Sequence, residues 1–264
     1  MSINSNDSAE ISVFSKLNNF FSDIYSIFHF IGRFFKEAFT PPYDFKEITK
    51  QCFNIGYKSL AIVTLTGFIT GIVFTKQSRP SLASFGATSW LPSLIAIAVI
   101  RALAPLVTSL IMAGKIGSNM GAELGSMNVT EQIDAMEVSG SNPFKFLVVS
   151  RVVAATLMLP MLVIYSAFVG LMGAYLNIHH NELTSLKSFM SDVFSKISFL
   201  DIISSITKAV VYGFTIAIVG CYKGYTTKGG TVGVGRSANA SVVIAMFLIF
   251  IEEMIIVQIT TYLR

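Results

Sequence analysis

Five long apolar runs fix what this chain can fold into. They cover roughly residues 57–75, 91–113, 147–177, 200–221 and 241–262. Each is near the ~20 residues that a helix needs to cross a bilayer. Hydrocarbon offers a backbone no water to bond, so runs of this length are stable there only as helices. An all-α integral membrane protein with five transmembrane helices is therefore expected. Composition agrees, with 53% hydrophobic and only 13% charged residues, where a soluble domain carries about 25% charged. Basic stretches are too short for nucleic acid, which excludes that partner class.

The start of the chain differs. Residues 1–12, MSINSNDSAEIS, are polar and lack a signal-peptide pattern. In residues 13–39, Phe14, Leu17, Phe21, Ile24, Phe28, Ile31 and Phe35 form one stripe, while Lys16, Asp23, Arg33 and Lys36 interrupt the rest. That pattern predicts an amphipathic helix, either lying in the membrane interface or packed on protein. Pro41 and Pro42 end it. The expected organisation is a tail and amphipathic helix over residues 1–50, then a transmembrane domain over 51–264.

Loop charges orient the spans. Lys and Arg crowd the N-terminal region and the second and fourth connections, with Lys115, Lys145, Arg151, Lys223, Lys228 and Arg236 in the latter two. The first and third connections hold only Lys76, Arg79, Lys187 and Lys196. The N-terminus is expected in the cytoplasm and the C-terminus outside the inner membrane. Cys52 and Cys221 then fall near the cytoplasmic side, where no disulfide is expected. In the third connection, Leu183, Leu186, Met190, Val193 and Ile197 recur at helical spacing, which predicts a short amphipathic helix at the outer surface.

Two segments between spans two and three stand out. In AGKIGSNMGAELGSM, Gly117, Gly121 and Gly125 recur every fourth residue. On a helix they form a flat face that lets another backbone approach closely. NVTEQIDAMEVSG follows, the most acidic short segment of the chain. Asn128 with Glu131 three residues later reads as a helix start, and Gly140 with Asn142-Pro143 as a stop. The helix between them, about three turns, would carry Val129, Ile133 and Met136 on one face, with Glu131, Asp134 and Glu137 elsewhere. Such a helix suits docking on a basic partner groove. It equally suits a solvated loop helix, and composition does not choose.

Residues 101–154, RALAPLVTSLIMAGKIGSNMGAELGSMNVTEQIDAMEVSGSNPFKFLVVSRVVA, resemble the signature block of the MlaE/YrbE permease family. GYTTKGGTVGVGRSANASVV, residues 224–243, resembles that family's second block. The resemblance implies the membrane subunit of an ABC system that moves phospholipid or related lipid with a periplasmic MCE-domain protein. It implies a homodimer driven by a cytoplasmic ABC ATPase, which binds the ATP, so no cofactor is expected on this chain. It also implies that Glu131, Gln132, Ile133, Asp134, Ala135, Met136, Glu137 and Val138 form the coupling helix that docks on that ATPase. The chain departs from the family pattern at Ala102, where a glutamate is frequent after the matching Arg101, at Ser150 before Arg151, and at Ser141-Asn142.

Charges inside spans are costly and need partners. Arg101, Lys208, Glu252 and Glu253 all count to ~12–15 Å from the outer end of their spans. Two positives and two negatives at one depth predict a cluster, either structural or flooring a lipid-headgroup cavity.

Other chemistry finds no support. GGTVGVGRS and GKIGS lack the phosphate-binding G-x-x-x-x-G-K-[ST] spacing. His179, His180 and Glu182 have no further ligand cluster, so no metal is expected. No nucleophile-base arrangement with supporting context is present, so neither catalysis nor a lipid-modifying enzyme is expected. The remaining alternative is a secondary transporter or channel using the intramembrane charges as an ion path.

Overall fold

The structure is a computed structural model and describes residues 25–41, 43–182 and 184–263. Two compact units divide it, Met1–Tyr43 and Asp44–Arg264. In the first, residues 25–38 form helix α1. The earlier part of the expected amphipathic stripe, Phe14 to Ile24, lies outside the described residues.

The second unit is built of helices and short connections, with no strand among its described residues. In chain order it contains α2 (Phe45–Ile55), α3 (Leu60–Ser84), α4 (Leu91–Ala98), α5 (Ala104–Met112) and α6 (Ser118–Val129). Then come α7 (Gln132–Val138), α8 (Ser150–Glu182), α9 (Leu186–Lys196), α10 (Phe199–Tyr225) and α11 (Gly230–Tyr262). Five continuous helical segments are long and apolar enough to cross a membrane: Phe45–Ser84, Thr88–Val129, Phe144–Glu182, Phe199–Tyr225 and Gly230–Tyr262. All five expected spans are present, and each helix runs beyond its apolar core. The second has 42 residues, about 60 Å of helix and twice the ~30 Å of hydrocarbon. Its end must project from the bilayer, and that end carries α6 and α7.

α8 and α10 form the centre of this unit. In each, 61% of the most apolar window is buried, against 17% in α11. Small residues set the crossings. A Cβ on Gly71 of α3 would overlap the Gly170 carbonyl of α8, so only glycine permits this backbone approach. Ser166 and Gly67 meet one turn away in the same way.

The third connection folds as α9, capped by Ser185, whose side chain accepts the Ser188 N–H. Its buried face is centred on Phe189 and Val193, packed with Leu91, Ile95, Ala174 and Ile178. This face is rotated from the expected stripe: Leu186 is 45% exposed, while Met190 and Ile197 pack at its edge. Leu183 lies outside the described residues.

Three π-helical turns interrupt the long helices, at Val99–Leu103, Ala113–Gly117 and Phe144–Val149. The first two have consequences for the sites below. Such turns displace the hydrogen-bond ladder and re-aim side chains, and they gather at functional places.

Candidate functional site

The α6–α7 junction occupies the projecting end of the second span. Asn128 does not cap a new helix, contrary to the sequence expectation. It lies inside α6, and its Nδ2 donates to the Thr227 carbonyl at 2.8 Å. The reason is tertiary: the carbonyl of the α10–α11 connection competes successfully for this amide. α6 instead ends at Val129, and Glu131, just before α7, has a left-handed backbone with φ 57°. A non-glycine residue there is strained by about 1 kcal/mol or more. The second helix is therefore Gln132–Val138, seven residues and two turns rather than three. It stops as expected: Gly140 takes φ 80°, and the Ser141 N–H reaches back to the Met136 carbonyl at 3.1 Å.

Ile133 anchors α7 and is 2% exposed. Glu131, Gln132, Asp134, Ala135, Glu137 and Val138 are exposed, and Met136 is half-buried. Among the described residues, no ion pair or side-chain hydrogen bond involves Glu131, Asp134 or Glu137. Val138 is 90% exposed beside them. The helix is thus held by one apolar side chain and offers acids together with an unburied apolar residue.

The glycine run positions this junction. A Cβ on Gly121 would stand 3.1 Å from Ala238 Cα and 3.2 Å from the Ser237 carbonyl of α11. On Gly125 it would stand 2.9 Å from Thr227 Oγ1. Gly117 is looser, 3.8 Å from the Ser241 carbonyl. Two of the three sites therefore allow no side chain without a shift.

The intramembrane charges lie where α10, α11 and the first π turn meet. Lys208 is 1% exposed, and its Nζ donates to Glu253 Oε1 at 2.6 Å. Nζ also donates to the Arg101 carbonyl at 3.1 Å. That carbonyl is available for a covalent reason. Pro105, four residues on, has no N–H to serve as its α-helical partner. The Tyr212 hydroxyl donates to the other oxygen of Glu253.

Arg101 does not pair with Glu252 or Glu253. Its Nε and Nη2 both donate to Asp201 Oδ1, at 3.0 and 2.7 Å. Asp201 begins α10, where it completes a capping box with Ser198 and accepts the Ser198 N–H at 3.1 Å. Arg101 reaches it because the guanidinium lies at the start of α10, away from Glu252 and Glu253. With Ala102 in place of the family's frequent acid, the carboxylate that meets Arg101 comes from another helix. Glu252 accepts from Thr215 Oγ1, and its second oxygen is buried with no partner among the described residues. The four expected residues therefore resolve into two ion pairs and one carboxylate held by a neutral hydroxyl. A cavity of about 170 Å³ adjoins the pairs, lined by Arg101, Ser204, Lys208, Val257, Thr260 and Thr261.

Sequence reasoning missed Asp201, Glu123 and the role of Arg151. Ser198-x-x-Asp201 carries a capping signature, so this acid reads as a helix cap rather than as half of an ion pair. Arg151 is 3% exposed; it pairs with Glu123 at 2.9 Å and donates to the Leu147 carbonyl at 2.8 Å. No metal-type cluster occurs among the described residues. His179 instead bonds the Thr184 carbonyl through Nδ1 at 2.8 Å. Cys52 and Cys221 are free.

Five membrane-length helices, with a short helix of exposed acids between the second and third, describe a multi-pass membrane protein. The chain belongs to the MlaE permease family: the family described as Permease MlaE matches residues 48–259. A probable ABC transporter permease protein of Rickettsia typhi is 34% identical over 89% of this chain and 90% of its own length. One from Synechocystis is 34% identical over 90% of each. The chloroplastic protein Trigalactosyldiacylglycerol 1 of Arabidopsis thaliana is 34% identical over 78% of this chain and 59% of its own. The chain is thus an ABC permease subunit, and ATP hydrolysis lies in a separate subunit. This membership sets aside the reading as a secondary transporter or channel.

Proposed function

We propose that this permease moves phospholipid or a related lipid between the inner membrane and a periplasmic MCE-type carrier. It works as a homodimer with two copies of the ATPase. Its N-terminus faces the cytoplasm, as the loop lysines and arginines favour, and α7 is then the coupling helix. The observation that carries this reading is the unpaired acidic surface of α7 on a helix that extends beyond the bilayer, in a chain of this family. Glu131, Asp134 and Glu137 meet basic residues of the ATPase, and Val138 enters its groove. Lipid cargo is supported by the polar-lined cavity beside Arg101 and Lys208, which suits a headgroup, and by the Arabidopsis relative's name, which refers to a glycolipid.

Close packing of Gly121 and Gly125 transmits movement of α7 to α11 and to the α10–α11 connection. Glu252 and Glu253 lie further along that helix. A push on α7 therefore has a short mechanical route to the charged network.

The test is reconstitution with the ATPase and the MCE-domain protein in vesicles carrying a labelled phospholipid. ATP-dependent transfer of label to the carrier is expected. ATP-driven turnover with no movement of any lipid class would contradict lipid as cargo.

A further inference from the structure

A second polar cavity lies at the opposite end of the bundle, the end that carries α7. Its volume is about 210 Å³, and α2, the second π turn, α6 and α8 enclose it. Lys58, Lys115, Arg151, Glu123, Asn54 and Asn119 are among the residues lining it. Three cations face one carboxylate, and that carboxylate is already taken. Glu123 holds Arg151 at 2.9 Å, and the Leu147 carbonyl occupies another of the guanidinium nitrogens.

The two lysines are left without an acid. Lys115 Nζ donates to Ser59 Oγ at 3.0 Å and to the Lys58 carbonyl, both neutral oxygens. The Lys58 ammonium makes no ion pair or hydrogen bond among the described residues. Two like charges sharing one half-enclosed pocket repel, and an anion between them removes that cost. Ammonium and amide donors converging from several helices suit the several oxygens of a phosphate, with Lys acting as a point charge.

The surroundings indicate where the phosphate comes from. Phe53 and Tyr57, on the same helical segment as the cavity's Asn54 and Lys58, stack at 4.9 Å and are 52% and 64% exposed. Exposed aromatic rings at the start of a span mark headgroup depth. From Lys58 the helical face continues as Ile62, Leu65, Ile69 and Val73, exposed by 40%, 61%, 48% and 44%. That stripe offers acyl chains a path starting at the cavity.

We propose that this cavity binds the phosphate of an anionic phospholipid headgroup from the leaflet on the α7 side. The inference needs only that the chain spans a membrane, and it stands whether or not lipid is the cargo. A lipid seated there bridges α2, α6 and α8 directly behind the coupling segment, so it would also stiffen the base from which α7 projects.

The test uses the full chain, delipidated in detergent and titrated with phosphatidylglycerol while bound lipid is counted by native mass spectrometry. Lys58→Gln and Lys115→Gln should each weaken binding about fivefold, the worth of one lysine at an anionic lipid surface. Lys187→Gln, on α9, should leave it unchanged. Phosphatidylcholine should bind more weakly to the wild type and lose less in the variants. The Lys58 side chain makes no hydrogen bond or ion pair among the described residues, so Lys58→Gln keeps the test decisive even if Lys115→Gln destabilises the chain. Unchanged phosphatidylglycerol binding in Lys58→Gln overturns the proposal. So does displacement of the lipid by millimolar inorganic phosphate, which would mark a free-anion site. Loss of the lipid whenever the ATPase is bound would assign the cavity to that partner and equally overturns it.

Discussion

The two acidic regions of this permease solve opposite problems. Near one end of the bundle, Asp201 and Glu253 are drawn into ion pairs with Arg101 and Lys208. At the other end, Glu131, Asp134 and Glu137 stand in the open, and α7 is anchored by Ile133 alone. A charge in hydrocarbon needs a counter-charge at once, so the first set is satisfied inside the chain. A charge in water does not, and the second set can wait for a partner. The same residue type thus holds the fold in one place and is presented by it in the other.

This contrast ranks the expected effects of mutation. The largest is at Lys208. Glu253→Leu strands an ammonium that is 1% exposed, and breaking a buried pair on one side costs about 3–5 kcal/mol. Lys208→Met with Glu253→Leu should recover most of that loss. A double-mutant cycle on thermal stability in detergent measures it; additive losses would show that the two do not act as a pair.

Overpacking comes next. Gly121→Leu forces a side chain onto the α11 backbone, with an expected cost of about 1–3 kcal/mol or more. Loss of folded protein on size-exclusion chromatography is the expected outcome. A stable Gly121→Leu chain would mean that α6 and α11 separate easily.

Arg101 is milder because its side chain is 28% exposed. Arg101→Gln should destabilise by about 1–2 kcal/mol, discounted for solvent screening. The loss should couple to Asp201→Asn and not to Glu252→Gln or Glu253→Gln. Coupling to either glutamate would contradict the pairing described here.

A small gain is expected at Glu131. Glu131→Gly relieves a left-handed backbone and should stabilise the chain by up to about 1 kcal/mol, while removing one exposed acid beside α7. Lower stability would mean that the Glu131 side chain has a structural role.

The sequence made the spans readable because hydrocarbon imposes one rule on every turn of every helix. The five apolar runs and the amphipathic character of α9 follow from that rule. Gly140 as a helix stop was equally legible, being a matter of local backbone preference. Partner choice was not. Arg101 counts to the same depth as Glu253, yet depth says nothing of the direction a side chain takes around the helix. The π turn at Val99–Leu103 changes that direction, and no periodicity announces it. Asn128 fails for a related reason: its amide has a local use as a cap and a distant one at Thr227, and only the packed fold favours the second. The acids of α7 were visible from the start, but two turns of helix look alike whether solvated or docked. Family membership and exposure bear on that choice, not pattern.

The central claim is that α7 is presented rather than packed. Its most direct test is charge reversal at two side chains that make no hydrogen bond or ion pair among the described residues, Asp134→Lys with Glu137→Lys. Thermal stability in detergent and recovery of the ATPase on affinity-purified permease are measured on the same preparation. Stability within about 0.5 kcal/mol of wild type, with recovery of the ATPase reduced at least about tenfold, is the predicted result, since like charges across an interface cost several kcal/mol. Full recovery of the ATPase on an equally stable permease would contradict it.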